Sequence, residues 1–148
     1  LIRRMPPFPL RFTGLVSTFG GPRDPGMRSD EGLALIHYVR ECPDVFLPGH
    51  NLNAVALGHW LDPRKFYIAM RWPKGFSYDT IRAKWAVMVA YRDAQFRAQP
   101  VDWGPGIGHR IADISPGLAD ALDVDTDKQQ VVITIYDSVK AVTSGGVA

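Results

Sequence analysis

The chain has 148 residues, enough for one domain with a single buried core and no covalent staples. Apolar residues make up 46% and charged residues 22%, with a formal charge of +2 and no block of like charge, so no nucleic acid and no anionic membrane is imposed as a partner. No apolar run is long enough to span a bilayer, the single cysteine excludes an intrachain disulfide, and His37, His50, His59 and His109 are too scattered for a metal site, so no metal and no cofactor is expected.

The opening "LIRRMPPFPL" carries two arginines but no small-residue cleavage pattern, so it does not read as a clear signal peptide. "LRFTGLVSTFGG" predicts a first strand, followed by a loop from Gly20 to Asp30. "EGLALIHYVREC" predicts a helix with Leu33, Ile36 and Arg40 on one face and a capping "SDE" before it. Cys42 follows in "ECPD", a loop-like stretch with no base at hand, and reads as an idle thiol. A loop runs from Pro43 to Leu57, "DPRKF" makes a turn, and "FYIAMRW" predicts a strand bounded by Pro73 and Gly75.

"SYDTIRAK" predicts a connection or short helical turn, and "WAVMVAY" with "QFRAQPVDW" a hairpin across "RDA". Pro100 inside the second arm implies an edge strand or a bulge, because proline cannot donate to a ladder. "SPGLADALD" carries the clearest local signal: Ser115 as N-cap, Pro116 at the first helical position, then Leu118, Ala121 and Leu122 facing inward. "QQVVITIYD" predicts the final strand, and 138–148 a loose tail. Strands outnumber helices and are not spaced as βαβ units, which favours a small barrel over a doubly wound sheet.

The stretch "VDWGPGIGHRIADISPGLADAL" resembles the signature of double-psi β-barrel domains of the rare lipoprotein A type. In that pattern Asp-Arg-Gly-Pro is followed by a loop, Gly-Arg, Asp-Leu-Ser and a short helix. The matching residues here are Asp102, Trp103, Gly104 and Pro105, then His109 and Arg110, then Asp113, Ile114 and Ser115. "WAVMVAYRDAQFRAQPV" is similar to the hairpin leading into the motif, "VVITIY" to the last barrel strand and "LVSTFG" to the first. The resemblance covers Trp85 to Tyr136 well and the remainder faintly. It implies a mainly β chain: one six-stranded double-psi β-barrel with short helices and an inserted loop region, about 31–66. The wider superfamily includes expansins, family 45 endoglucanases and MltA-type lytic transglycosylases. It therefore implies an extracytoplasmic protein whose partner is a polysaccharide, most readily peptidoglycan.

Cutting a glycan requires a proton delivered to the glycosidic oxygen and stabilisation of an oxocarbenium-like transition state. By resemblance Asp102 takes the position of the catalytic aspartate, acid and then base in a lytic transglycosylase; Asp113 takes that of a second acid, and Glu31 that of a conserved-pattern glutamate after the first strand. An architectural role competes for each aspartate, since Asp at a Gly-Pro turn commonly accepts backbone N–H bonds. The family pattern has a histidine where Arg71 stands here, and arginine cannot shuttle protons near neutral pH. Trp103, Arg71, Trp72, His109 and Arg110 are candidate substrate-binding residues, aromatic faces suiting a pyranose and cations its polar groups. Trp60 and Trp85 read as packing residues. Three functions stay open: a glycan-cleaving enzyme; a non-catalytic glycan-binding module; and a homo-oligomer or assembly subunit, of a phage particle or extracellular filament, with the barrel as scaffold.

Overall fold

A computed structural model of the chain describes residues 8–106 and 108–137; the predicted tail 138–148 and the "LIRRMPP" opening lie outside the described residues. The strands are β1 (Leu10–Gly14), β2 (Val16–Thr18), β3 (Tyr67–Met70), β4 (Trp85–Tyr91), β5 (Ala94–Trp103), β6 (Ala112–Ile114) and β7 (Val131–Asp137). Two short helices, α1 (Tyr78–Lys84) and α2 (Pro116–Leu122), accompany them. The strands form one mixed sheet in the order β1-β7-β4-β5-β3-β6-β2.

The two ends of that order, β1 and β2, are separated in the chain by Leu15 alone. One strand-like segment therefore pairs with β7 along its first half and with β6 along its second, and the sheet curls into a nearly closed barrel. The fold is thus mainly β and barrel-like, with seven strands among the described residues where six were expected. The difference arises at Gly14, whose missing side chain admits Ile111: a Cβ there would lie 2.6 Å from its Cγ2. The first predicted strand accordingly breaks in two as it changes partners.

Period-two burial explains the interior. Trp85, Val87 and Val89 on β4 and Val131, Ile133 and Ile135 on β7 point inward and pack with Ile68, Ile114 and Leu118. Each such side chain contributes about 1.5–3 kcal/mol on full burial. Trp85 is ringed edge-on by Phe8, Trp72 and Phe76. Helix α2 begins where expected: the Ser115 hydroxyl accepts from Leu118 N at 3.3 Å and also from Tyr67 N at 3.2 Å. Ala119, not Ala121, completes its inward face; Ala121 is exposed.

Pro100 does not mark an edge, because β5 lies between β4 and β3. It precedes a bulge: Ile68 pairs with Pro100, but Ala69 pairs with Asp102, leaving Val101 over.

The expected helix over 31–42 is absent. That stretch is irregular apart from a 3-10 turn at Val39–Glu41. Gly32 and Tyr38 instead make isolated bridges with Leu57 and Val55. Leu33, Leu35, Ile36 and Val39 are all buried, so the apolar spacing is satisfied by packing on neighbouring chain rather than along one helical face. The insert has its own apolar cluster, with Ile36, Val45, Phe46, Ala56 and Leu61 at its centre, joined to the barrel through Tyr67 and Val101.

Candidate functional site

The bulge at Val101 decides where Asp102 stands. With the register moved by one residue, Asp102 and Asp113 lie on either side of Ala69, on β5 and β6 respectively, and Ser17 of β2 lies beyond Asp113. A row Asp102–Ala69–Asp113–Ser17 therefore crosses four strands. Two strand spacings put the aspartate Cα atoms about 10 Å apart, and between them the small Ala69 side chain leaves room for a cleft. That cleft holds about 310 Å³ and is lined by Asp24, Glu31, Asp102, Asp113, Trp103 and the Gly104–Gly106 turn, among others. Four carboxylates thus meet in one concavity.

Asp102 is both anchored and partly open. Its Oδ1 accepts N–H bonds from Ala34 at 2.8 Å and Trp103 at 2.9 Å, tying the start of the insert to β5. Among the described residues no donor reaches Oδ2. Burial pushes its pKa above the ordinary carboxylate value; the two N–H bonds oppose this, while the charges of Glu31 and Asp113 add to it. Asp113 is also raised, chiefly by burial, against a hydrogen bond from the Ser17 hydroxyl and with a further upward push from Asp24. Gly104 takes φ +143°, a backbone state suited to glycine, and a Cβ there would lie 3.9 Å from Asp113 Oδ2.

Asp24 escaped the sequence reading. Its carboxylate accepts from Gly20 N at 2.7 Å and Gly26 N at 2.8 Å and so shapes the loop on the cleft's far wall. The only sequence signal was an aspartate between two prolines in "GGPRDPG". Gly20, at φ +86°, is required there, since a Cβ would lie 2.5 Å from the Tyr67 hydroxyl.

The remaining candidates divide between the cleft mouth, a neighbouring groove and the surface. Trp103 is 43% exposed and stands at the mouth of the cleft. Trp72 is not an open platform: it is buried, and its indole N–H donates to the Asp102 carbonyl at 2.8 Å. Arg71 is exposed and donates to the Pro105 and Arg110 carbonyls at 2.8 and 3.0 Å, bracing the turn from outside. Arg110 does not line the cleft; it donates to the carbonyls of Val16 and Thr126 and pairs with Asp127, while its charge still reaches Asp113 and opposes the upward shift there. His109 is exposed and does not line the cleft. His59 lies with Nε2 at 2.8 Å from the Met27 carbonyl and 3.2 Å from that of Asp24, where a ring N–H holds the loop. Burial pushes the Cys42 thiol up to about 11, which keeps it protonated near neutral pH.

Among the described residues no group of three or more His, Cys, Asp or Glu side chains could hold a metal ion. Nor is any described helix long and apolar enough to cross a membrane. No protein-family model matches the sequence, and no curated protein matches it. Among solved structures the chain is similar to the Streptomyces papain inhibitor, at 13% identity and a TM-score of 0.49 over 85% of this chain and 94% of that one.

Proposed function

We propose that the protein acts on a cell-envelope polysaccharide, peptidoglycan foremost, in a double-psi type of barrel outside the cytoplasm, with Asp102 as the proton donor. The observation that carries this reading is the Asp102–Ala69–Asp113 row opening into a carboxylate-lined cleft. A carboxyl whose pKa is raised by burial holds its proton closer to neutral pH, as a general acid must. Oδ2 of Asp102 delivers that proton to the glycosidic oxygen, and the resulting carboxylate then takes a proton from the sugar's own hydroxyl as that hydroxyl closes on the anomeric carbon. The leaving sugar departs with the first proton, so Asp102 ends the cycle as it began. Asp113 and Glu31, in the same cleft, supply negative charge near the developing oxocarbenium ion.

A second reading, a glycan-binding module without cleavage, is favoured by Arg71. It stands where the resembled pattern has histidine, and arginine cannot shuttle a proton near neutral pH.

Incubation with peptidoglycan sacculi, beside an Asp102→Asn variant, tests both. Asparagine keeps the Oδ1 acceptor for Ala34 and Trp103 while removing the acid. Anhydro-muropeptides released by the parent alone are the expected outcome. Reducing-end fragments would indicate hydrolysis and direct attention to Asp113 and Glu31. Co-sedimentation without cleavage would leave the binding module, and the absence of both would overturn the peptidoglycan reading in favour of another polysaccharide or the assembly role.

A further inference from the structure

The cleft does not end at Trp103. On its other side lies a groove of about 710 Å³ lined by Arg71, Trp72, Pro73, Lys74, Phe76, Tyr78 and Trp103. Two of its rings, Trp103 and Tyr78, are 43% and 44% exposed, although Trp72 and Trp85 of the same barrel are buried. The charges are opposite to those next door. Arg71 and Lys74 line the groove and no Asp or Glu does, whereas four carboxylates line the cleft. Arg71 is held at a set position by two carbonyls, which take two of its five guanidinium N–H groups and leave three for an anion. Asp79, beside Tyr78 in sequence, is bound by Arg82 at 2.8 Å, outside the groove lining.

The geometry points to a subsite in this groove for the carboxylate of an acidic sugar, with Lys74 and Arg71 binding the anion and Tyr78 and Trp103 the ring faces; this deepens the glycan reading and rests on it. An acidic sugar is repelled by the carboxylate cleft and drawn to the cationic groove, so the polarity of the site sets the register in which a glycan lies across Trp103. The carboxylate is either a uronate or a lactyl ether, as on muramic acid; both present the same anion beside a pyranose.

Three tetrasaccharides separate the cases: one of alternating N-acetylglucosamine and N-acetylmuramic acid, one of hyaluronan, and neutral chitotetraose. Each is titrated calorimetrically at low salt into the parent, Lys74→Gln and Tyr78→Ala, whose substituted side chains lie at the surface. One charge-assisted contact corresponds to about a ten-fold preference for the acidic ligand. That preference is expected for at least one acidic tetrasaccharide, with loss in Lys74→Gln and at raised salt. Tyr78→Ala is expected to weaken the bound ligands several-fold. A preference for the muramyl ligand identifies the lactyl source, and one for hyaluronan the uronate. Equal binding of all three, or a preference that survives Lys74→Gln, overturns the subsite while leaving the glycan reading intact. Binding of none of the three overturns both.

Discussion

Between β4 and β7 six consecutive residue pairs lock the barrel wall, and every second side chain faces the core. The insert buries Ile36, Val45, Phe46, Ala56 and Leu61 as deeply, yet its described backbone is held by isolated bridges, 3-10 turns and side-chain bonds. Glu41 accepts N–H bonds from His37 and Tyr38, and the Asp62 carboxylate accepts from Arg64 N. The same apolar driving force thus operates in two backbone regimes: one repeats a local rule, the other depends on named polar contacts. Loss of one contact should matter differently in each.

The largest expected effect is from Trp85→Ala, which removes the ring that Phe8, Trp72 and Phe76 surround, at a cost of about 3–5 kcal/mol. Because Tyr67 and Val101 pack in the insert's cluster while belonging to barrel strands, denaturant titration followed by fluorescence and by circular dichroism should show one shared transition. Leu61→Ala, in the insert's cluster, is expected to cost about 2–5 kcal/mol, again with one transition. A separate early transition in that variant would show that the insert folds by itself.

Gly117→Ala addresses the seam between the two regions. A Cβ there would lie 2.7 Å from the carbonyl oxygens of both Pro63 and Arg64, so about 1–3 kcal/mol is expected from the forced shift. Gly26→Ala is the control: its nearest neighbour is a side-chain oxygen of Asp24 at 3.2 Å, and a smaller change in melting temperature is expected.

The smallest effect is also the most discriminating, because its sign differs between the regions. Asp62 is lowered, first by its hydrogen bond from Arg64; burial raises Glu41, but N–H bonds from Tyr38 and His37 together with the Arg82 charge lower it overall. Such groups stabilise the fold at neutral pH, and that contribution is lost as pH falls through their depressed values. Asp102 and Asp113 are raised, so their charged forms oppose folding at neutral pH, and that opposition disappears as pH falls through their raised values toward about 4. Asp102→Asn should therefore be more stable than the parent at neutral pH, with the gap closing in acid. Asp62→Asn should be less stable at neutral pH, its gap closing only below the ordinary carboxylate range. Melting curves across pH measure both, and gaps of the same sign would refute the contrast.

The same division governs what could be read from the sequence. Strands β4, β5 and β7 were legible because their alternation or β-branched content admits little else, and α2 because Ser115 and Pro116 mark its start. The insert was not: Leu33, Ile36 and Arg40 fit a helical face equally well, and only the bridges of Gly32 and Tyr38 to Leu57 and Val55 decide otherwise. Asp102, Asp113 and Glu31 could be named singly through the resemblance. That they line one cleft depends on a bulge, which Pro100 hinted at without fixing its register. Asp24 is not legible because its neighbours describe a turn, and residue type does not reveal that Arg110 leaves its loop toward the Val16 and Thr126 carbonyls.

The segment Leu10–Thr18, shared between the two ends of the strand order, has a consequence for behaviour at high concentration. A flat seven-stranded sheet would offer two long rows of unpaired amides on which a neighbouring chain could assemble. Here the outer strands are five and three residues long and divide one chain segment between them. Another molecule finds little ladder to copy, so the folded protein is a poor template for strand-by-strand growth into fibrils.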